Sequence, residues 1–318
     1  MMRFLLIFML FITLSSSAQD VHFSQYSITK SGLNPAFIGY QGADFQFQLQ
    51  RRSQWESVTT PFTTFSMALI GKELFKQFSL GIQFMNDLSG DSHFSTSGLA
   101  LALSNKLNLS SVNNISFGAS IGSYQRSLDY SSLTFIDDEN FPNQGIRFFD
   151  ISLGVINEWD INSGLTLLSG ISIFHINNPN QSLLGSKEVK LNTNNKIHTS
   201  LTYYINDKLQ VKPSVYYSGQ GKANELLFGA GINYLLANYT AENIVLRASI
   251  FDRYNDAIIT AFGVKIDNFD IMISYDINTS SLVSASDHKG GFEFAIVYQW
   301  NLNKIEKEFD RFVCPKYL

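Results

Sequence analysis

Cysteine is almost absent from this 318-residue chain, and proline and histidine are rare, with one, six and five residues respectively. A single thiol, Cys314, excludes an internal disulfide framework and a cysteine-rich zinc site. Charge is also scarce: 16% of residues are Asp, Glu, Lys or Arg, against ~25% in an average soluble domain. The formal net charge is −4, and there is no long basic arm, so nucleic acid is not an expected partner. Past the N-terminus no run reaches the ~18 apolar residues of a membrane-crossing helix. Aromatics, by contrast, are plentiful, with 27 Phe and 14 Tyr, and 45% of the chain is hydrophobic. That composition excludes disorder.

Residues 1–18 read as a secretory signal. Arg3 supplies the positive end, Phe4 to Leu14 the apolar stretch, and Ser15 to Ala18 the small residues of a cleavage site. The stretch is too short to span a bilayer. Cleavage is expected after Ala18, leaving Gln19 first. No cysteine follows that site, so a lipoprotein anchor is excluded.

The rest of the chain alternates with period two. Phe45, Phe47 and Leu49 interleave with Gln46, Gln48 and Gln50. Phe78, Leu80, Ile82 and Phe84 interleave with Ser79, Gly81 and Gln83. Phe292, Phe294, Ile296 and Tyr298 share a face near the end. Such alternation puts one set on each side of a strand. The spacing predicts fourteen strands, at 43–53, 61–71, 77–87, 94–104, 114–126, 148–160, 164–175, 195–205, 208–218, 223–236, 243–252, 257–266, 269–279 and 289–301. Their length suits tilted membrane strands of ~9–11 residues. The long connections, 127–147 and 176–194, both follow odd-numbered strands. The tightest, Asn206-Asp207 and Asp267-Asn268, follow even-numbered ones and read as two-residue hairpin turns.

One face is Phe, Leu, Ile and Tyr; the other is Ser, Gly, Gln and Asn. The expected fold is all-β: a transmembrane antiparallel up-and-down β-barrel of the outer membrane with about 14 strands. Its apolar face meets outer-membrane lipid, its polar face the lumen, and closure leaves no unpaired edge. Tyr203, Tyr204, Tyr216, Tyr217, Tyr298 and Trp300 are candidates for interfacial girdles. The domain reading is a signal peptide at 1–18, a periplasmic N-terminal segment or plug at 19–42, the barrel at 43–301 and a charged periplasmic tail at 302–318. The segment 19–42 is expected to fold into the periplasmic mouth.

Catalytic and metal patterns are thin. The histidines His22, His93, His175, His198 and His288 include no i, i+4 pair. Ser27-Ile28-Thr29-Lys30 matches S-x-x-K, but no S-D-N or K-T-G follows. Gly219-Gln220-Gly221-Lys222 is too short for a P-loop. Asp137-Asp138-Glu139-Asn140 could offer calcium oxygen ligands, with a solvated loop the favoured reading. No catalytic residue, cofactor or metal is assigned. The in-strand charges Arg51, Arg126, Glu158, Arg247, Asp270, Asp276 and Glu293 are expected in the lumen, as salt bridges or pore lining.

Residues 22–39 read HFSQYSITKSGLNPAFIG. His22, Phe23, Ser24, Gln25 and Tyr26, then Leu33, Asn34, Pro35, Ala36 and Gly39, resemble the opening motif of the PorP/SprF family of outer-membrane proteins. That family serves type IX secretion and gliding in the Bacteroidetes. Arg51, Gln54 and Trp55, then Pro61 to Thr64, are similar to its next landmarks. Ser274 to Asn278 with Asp276, Gly290 to Glu293, and the ending Cys314-Pro315-Lys316-Tyr317 are similar to later ones, although an extra Leu318 follows. The resemblance implies a non-enzymatic barrel that helps to secrete or retain cargo, such as a gliding adhesin carrying a C-terminal domain. It implies as partners periplasmic or outer-membrane lipoproteins of the same machinery. Candidate partner-binding or family-motif residues are His22, Phe23, Gln25, Tyr26, Asn34, Pro35, Arg51, Trp55, Asp276 and Cys314. Two other readings compete: an outer-membrane diffusion channel or hydrophobic-solute transporter, and a barrel-embedded phospholipase.

Overall fold

The computed structural model describes residues 20–56, 60–90, 94–130, 145–183, 189–236, 243–280 and 283–302. The signal reading at 1–18, the acidic run at 137–140, His93, Cys314 and most of the tail fall outside them.

Among the described residues there are fourteen strands. They are β1 (Phe45–Gln54), β2 (Phe62–Phe75), β3 (Phe78–Ser89), β4 (Phe94–Asn108), β5 (Asn113–Ser127), β6 (Gly145–Asn162) and β7 (Leu165–Phe174), then β8 (Asn194–Tyr204), β9 (Leu209–Gln220), β10 (Ala223–Leu235), β11 (Ile244–Arg253), β12 (Ala257–Ile266), β13 (Phe269–Asn278) and β14 (Lys289–Trp300). Each pairs antiparallel with its neighbours in sequence, and β14 closes on β1 from Phe45 opposite Trp300 to Gln54 opposite Gly291. The predicted strand number and order hold. Ends move by a few residues, most at the first residue of β6 and the last of β2 and β4.

The burial pattern is inverted relative to a soluble protein. Gln46, Gln48 and Gln50 are buried inside the barrel, while Phe262 on the outer wall is 63% exposed and Ile250 is 58% exposed. On β6, Asp150, Ser152 and Ile156 are buried while Phe149, Ile151 and Leu153 are exposed. An apolar belt outside a closed, polar-lined sheet satisfies every ladder group without water, which lipid requires. No helix among the described residues is long and apolar enough to cross a membrane.

One end of the barrel carries the long connections 128–144, 175–193 and 279–288. The other carries 76–77, 163–164 and 267–268. In two of these turns, left-handed backbone at Lys76 (φ 55°) and Asp267 (φ 46°) closes the hairpin. The expected two-residue turn at Asn206-Asp207 is instead the four-residue connection 205–208. Ile205 N–H donates to the Leu209 carbonyl at 2.9 Å, and the Asn206 side chain accepts from Lys208 N–H at 2.9 Å and Leu209 N–H at 3.0 Å. The side chain caps the bend, so the strands stop short of it.

At the short-turn rim, Trp300 stacks on Phe45 (5.4 Å) and on Tyr298 (5.5 Å), and Tyr298 meets Phe269 (4.4 Å). Tyr203 and Tyr217 also face outward. Tyr216 does not: it is buried in the lumen. Tyr204 lines an interior cavity. Each is adjacent to an outward tyrosine, and consecutive strand residues point to opposite faces.

Residues 20–42 run through the lumen. They extend from Asp20, bonded to groups at the long-connection ends of β8 and β9, down to the short-turn rim, where the next residue but one, Asp44, accepts from Lys72 N–H at 2.7 Å. The mouth placement expected from sequence is thus too shallow. This inner segment folds into two 3-10 turns, Lys30–Gly32 and Pro35–Phe37. Asn34 caps the second, accepting from Ala36 N–H at 2.9 Å, with Pro35 preset at the first position. The serine-rich wall explains itself here. Ser172 donates to the Leu33 carbonyl at 2.8 Å and Ser116 to the Ala36 carbonyl at 3.0 Å, and Ser104 donates to the Ile38 carbonyl. Irregular backbone in a membrane protein is tolerated where the protein itself satisfies it. Apolar packing completes the fit: Leu33, Ala36 and Phe37 meet Ile156, Tyr216, Leu227, Phe251 and Ile259.

Candidate functional site in the barrel lumen

Four lumen-facing strand positions converge where the inner segment begins. Arg52 (β1), Arg253 (β11), Asp276 (β13) and Glu293 (β14) all lie on the polar faces of their strands near the long-connection end. Arg52 Nη2 meets Asp276 Oδ2 at 2.7 Å and Arg52 Nη1 meets Glu293 Oε2 at 3.1 Å. Arg253 Nη1 meets Asp276 Oδ2 at 3.0 Å, and its Nε meets Glu225 Oε1 at 2.9 Å. Glu293 is 0% exposed, Asp276 1% and Arg52 2%. Buried charge is tolerated only when paired and hydrogen-bonded.

The inner segment completes this lock. Glu293 accepts the backbone N–H groups of Ser24 (Oε2, 2.8 Å) and Gln25 (Oε1, 2.8 Å), and Gln50 Nε2 at 2.6 Å. The Ser24 hydroxyl accepts from Arg52 Nη1 (2.5 Å) and Arg253 Nη2 (2.7 Å), and donates to Asp276 Oδ2 (2.8 Å). One hydroxyl thus uses both lone pairs and its proton. Gln25 Nε2 reaches Ser274 Oγ and the Glu293 carbonyl, each at 3.0 Å.

A second fastening sits at the start of the segment. His175 follows β7 in left-handed backbone (φ 58°). Its Nδ1 lies 2.8 Å from Asp150 and its Nε2 2.5 Å from Asp20. Asn194 donates to Asp20 at 3.2 Å. Burial alone would lower the His175 pKa; hydrogen bonds to Asp150 and Asp20, with their charge, reverse that and raise it to about 9. Burial would raise Asp20; hydrogen bonding and charge from His175 overcome it and bring the group to about 2.

The motif residues distribute as follows. His22 is partly buried beside Glu225, Arg253 and Arg52. Phe23 and His22 border a small internal void. Tyr26 stacks on Tyr216 at 5.1 Å and meets Phe251 edge-on at 5.8 Å. Asn34 Nδ2 donates to the carbonyls of Ile171 (3.0 Å) and Val155 (3.1 Å), and Pro35 is buried beside it. Asp276 is in the lock. Trp55 stands at the rim after β1 in left-handed backbone (φ 66°) and lines an open vestibule. Arg51 corrects the expectation of a lumen position: it is exposed on the outer wall, and its neighbour Arg52 points in. A one-residue step reverses the face. The other expected lumen charges do face inward, with Arg247 and Asp270 paired at 2.7 Å. Cys314 lies outside the described residues. Among the described residues no group of three or more His, Cys, Asp or Glu could hold a metal ion.

Two cavities flank the inner segment. The vestibule at the long-connection end measures about 630 Å3 and is bordered by Trp55, Phe62, Tyr254, Arg253 and Asp256. A second cavity of about 420 Å3 lies toward the short-turn end, below Tyr26 and Leu33.

The model of the type IX secretion system membrane protein PorP/SprF matches residues 15–298. The chain belongs to the PorP/SprF family. It is therefore an outer-membrane barrel of type IX secretion, and family membership carries an association with that machinery. No curated protein sequence matches it. Solved barrels of similar fold include the Ralstonia pickettii toluene transporter TbuX (TM-score 0.50, 11% identity, 84% of this chain and 92% of that one). The CymD monoaromatic hydrocarbon channel is similar too (TM-score 0.53, 9% identity, 86% and 93%). So is the P. putida toluene transporter TodX (TM-score 0.50, 9% identity, 85% and 92%). At such identity the likeness is one of fold. Sequence reasoning missed Arg52, Arg253, Glu225, Asp20, Asp150 and His175 as site residues. Arg52 was readable, because it shares parity with Gln46, Gln48 and Gln50.

Proposed function

We propose that this PorP/SprF barrel is a fixture that retains type IX cargo, such as a surface adhesin with its C-terminal domain, and does not conduct it. The observation that carries this is the occupied lumen. Residues 20–42 are bonded to the wall from the Glu293 lock to the Asn34 cap, and two buried arginines hold them there. A folded protein has no route past such a plug, so work on cargo falls to the surfaces at the barrel ends.

The long connections then face outward and the short turns inward, as in other outer-membrane barrels. The connection 128–144 and the vestibule beside Trp55 form the cargo-facing end. The tail 302–318 faces the periplasm and its lipoproteins, after a signal at 1–18 has directed export. The protein acts without catalysis in this reading. Deleting 128–144, the connection between β5 and β6, should leave a folded, heat-modifiable barrel in the outer membrane but release the adhesin into the medium. Unchanged retention would remove the cargo-facing role from that connection.

A second reading, passage of small solutes, is favoured by one observation. Tyr26, stacked on Tyr216 at 5.1 Å, borders both the small internal void beside His22 and the cavity toward the short-turn end, so the pair stands between two interior spaces. Solute flux independent of cargo would favour it.

A further inference from the structure

The cavity toward the short-turn end has an uneven charge account. Lys30, from the inner segment, and Lys212, from β9, both line it with Arg247. Arg247 is engaged by Asp270 at 2.7 Å. The two carboxylates on the opposite wall have their own partners: Glu158 takes Lys106 at 3.8 Å and Asn114 at 3.4 Å, and Asp160 accepts the Thr166 hydroxyl at 2.7 Å. Lys30 and Lys212 have no hydrogen-bond or ion-pair partner among the described residues. Lys30 rests over the rings of Phe37 (5.2 Å) and Tyr40 (5.5 Å). Glu158 and Asp160 line the same cavity, but neither is bonded to Lys30 or Lys212, and two ammonium groups without a direct partner are costly in a partly desolvated space.

The same cavity has an apolar floor. Leu33, Phe37, Phe251 and Met272 border it on the side of the inner segment and β11 to β13. Hydroxyls of Ser200, Thr202 and Ser214 stand along the wall. At about 420 Å3 it falls within the ~300–1,000 Å3 of small-molecule sites, which combine an apolar lining with a few placed polar groups.

We propose that this cavity binds an amphipathic organic anion, its acid group held by Lys30 and Lys212 and its apolar body laid against Leu33, Phe37 and Phe251. The site is separate from the Ser24–Glu293 lock and from the vestibule, and it opens toward the short-turn end. Because Lys30 belongs to the inner segment and Lys212 to the wall, a bound anion also ties one to the other.

The test is calorimetric titration of the full mature chain in neutral detergent with 3-phenylpropionate, its neutral amide and inorganic phosphate. The proposal predicts saturable one-to-one binding of 3-phenylpropionate, with the amide and phosphate at least tenfold weaker. Lys212→Gln and Lys30→Gln should each weaken 3-phenylpropionate at least tenfold, and Lys222→Gln, at an exposed turn, should leave it unchanged. Heat-modifiability on gels checks that each variant is folded; if Lys30→Gln is not, Lys212→Gln alone decides. Absence of saturable binding to the wild type, or equal affinity in folded Lys212→Gln, would overturn the site. Equal affinity for the amide would overturn the role of charge, and equal affinity for phosphate the role of the apolar floor.

Discussion

The carboxylate of Glu293, in the strand that closes the barrel, accepts the backbone N–H of Ser24 at 2.8 Å. The carboxylate is fully buried and also holds Arg52 at 3.1 Å. One side chain therefore ties the closing strand, β1 and the inner segment together. Removing one partner of a buried ion pair costs ~3–5 kcal/mol, because the other charge is left uncompensated. Arg52→Ala should lose about that much stability, read as a large drop in the temperature of the heat-modifiable gel shift. Arg51→Ala, on the outer wall, should change it by less than ~0.5 kcal/mol. Equal effects at the two positions would show that the lumen lock is not what holds the barrel.

The wall carries a steric counterpart. A Cβ on Gly154 would collide with the Asn34 side chain, and one on Gly118 with the backbone at Ala36. Gly154→Val should displace the inner segment while leaving the strands paired. Limited proteolysis should then cut within 20–42 in the variant and not in the wild type, with the same β-sheet circular dichroism in both.

The Asp20–His175–Asp150 latch makes docking of the segment's first residues depend on pH. His175 titrates near 9 in the folded state against an ordinary 6.5. A raised pKa stabilises fully below about pH 6.5, and the benefit is lost as pH rises through 9. Asp20 titrates near 2 against 3.8, so its contribution is present above about pH 4 and lost as pH falls through 2. The latch is strongest between these limits, and His175 contributes on the order of 2–3 kcal/mol there. Hydrogen exchange at residues 20–25 should accelerate from pH 6.5 to 9 beyond its intrinsic rate. His175→Asn should flatten that dependence, and an unchanged dependence in the variant would reject the latch.

The filled lumen also sets an electrical expectation. In planar bilayers the wild-type barrel should show little conductance, and removal of residues 20–42 should open a large, stable one. Tyr26→Ala, which removes the stack on Tyr216, should give a small intermediate conductance. A large wild-type conductance would mean that the segment leaves the lumen readily.

The barrel was legible in the sequence because period-two alternation is a local signal. Phe45, Phe47 and Leu49 against Gln46, Gln48 and Gln50 fix the two faces without reference to any other strand. Parity also places Arg52 inward, and reading Arg51 as the lumen residue overlooked it. The lock was not legible, since Ser24, Arg52, Arg253 and Glu293 are brought together by closure of the whole sheet. The latch was hidden for the same reason: Asp20 and His175 lie 155 positions apart, and neither forms a local motif. The serines of the inner wall read as generic polar residues until a second chain segment supplied carbonyls for them to meet. The depth of the inner segment was misjudged because its Gly, Pro and Asn residues read as a loop, whereas Asn34 and Pro35 build a capped turn that the lumen then satisfies.

In this reading the family member holds cargo at the cell surface around a plugged barrel. Affinity purification of a tagged chain from outer membranes in mild detergent, with mass spectrometry of what accompanies it, tests that most directly. The expected result is recovery of a large surface protein or its C-terminal domain, together with lipoproteins of the secretion machinery, and loss of the surface protein when 128–144 is deleted. A barrel that purifies alone, and conducts solutes in bilayers, would contradict it.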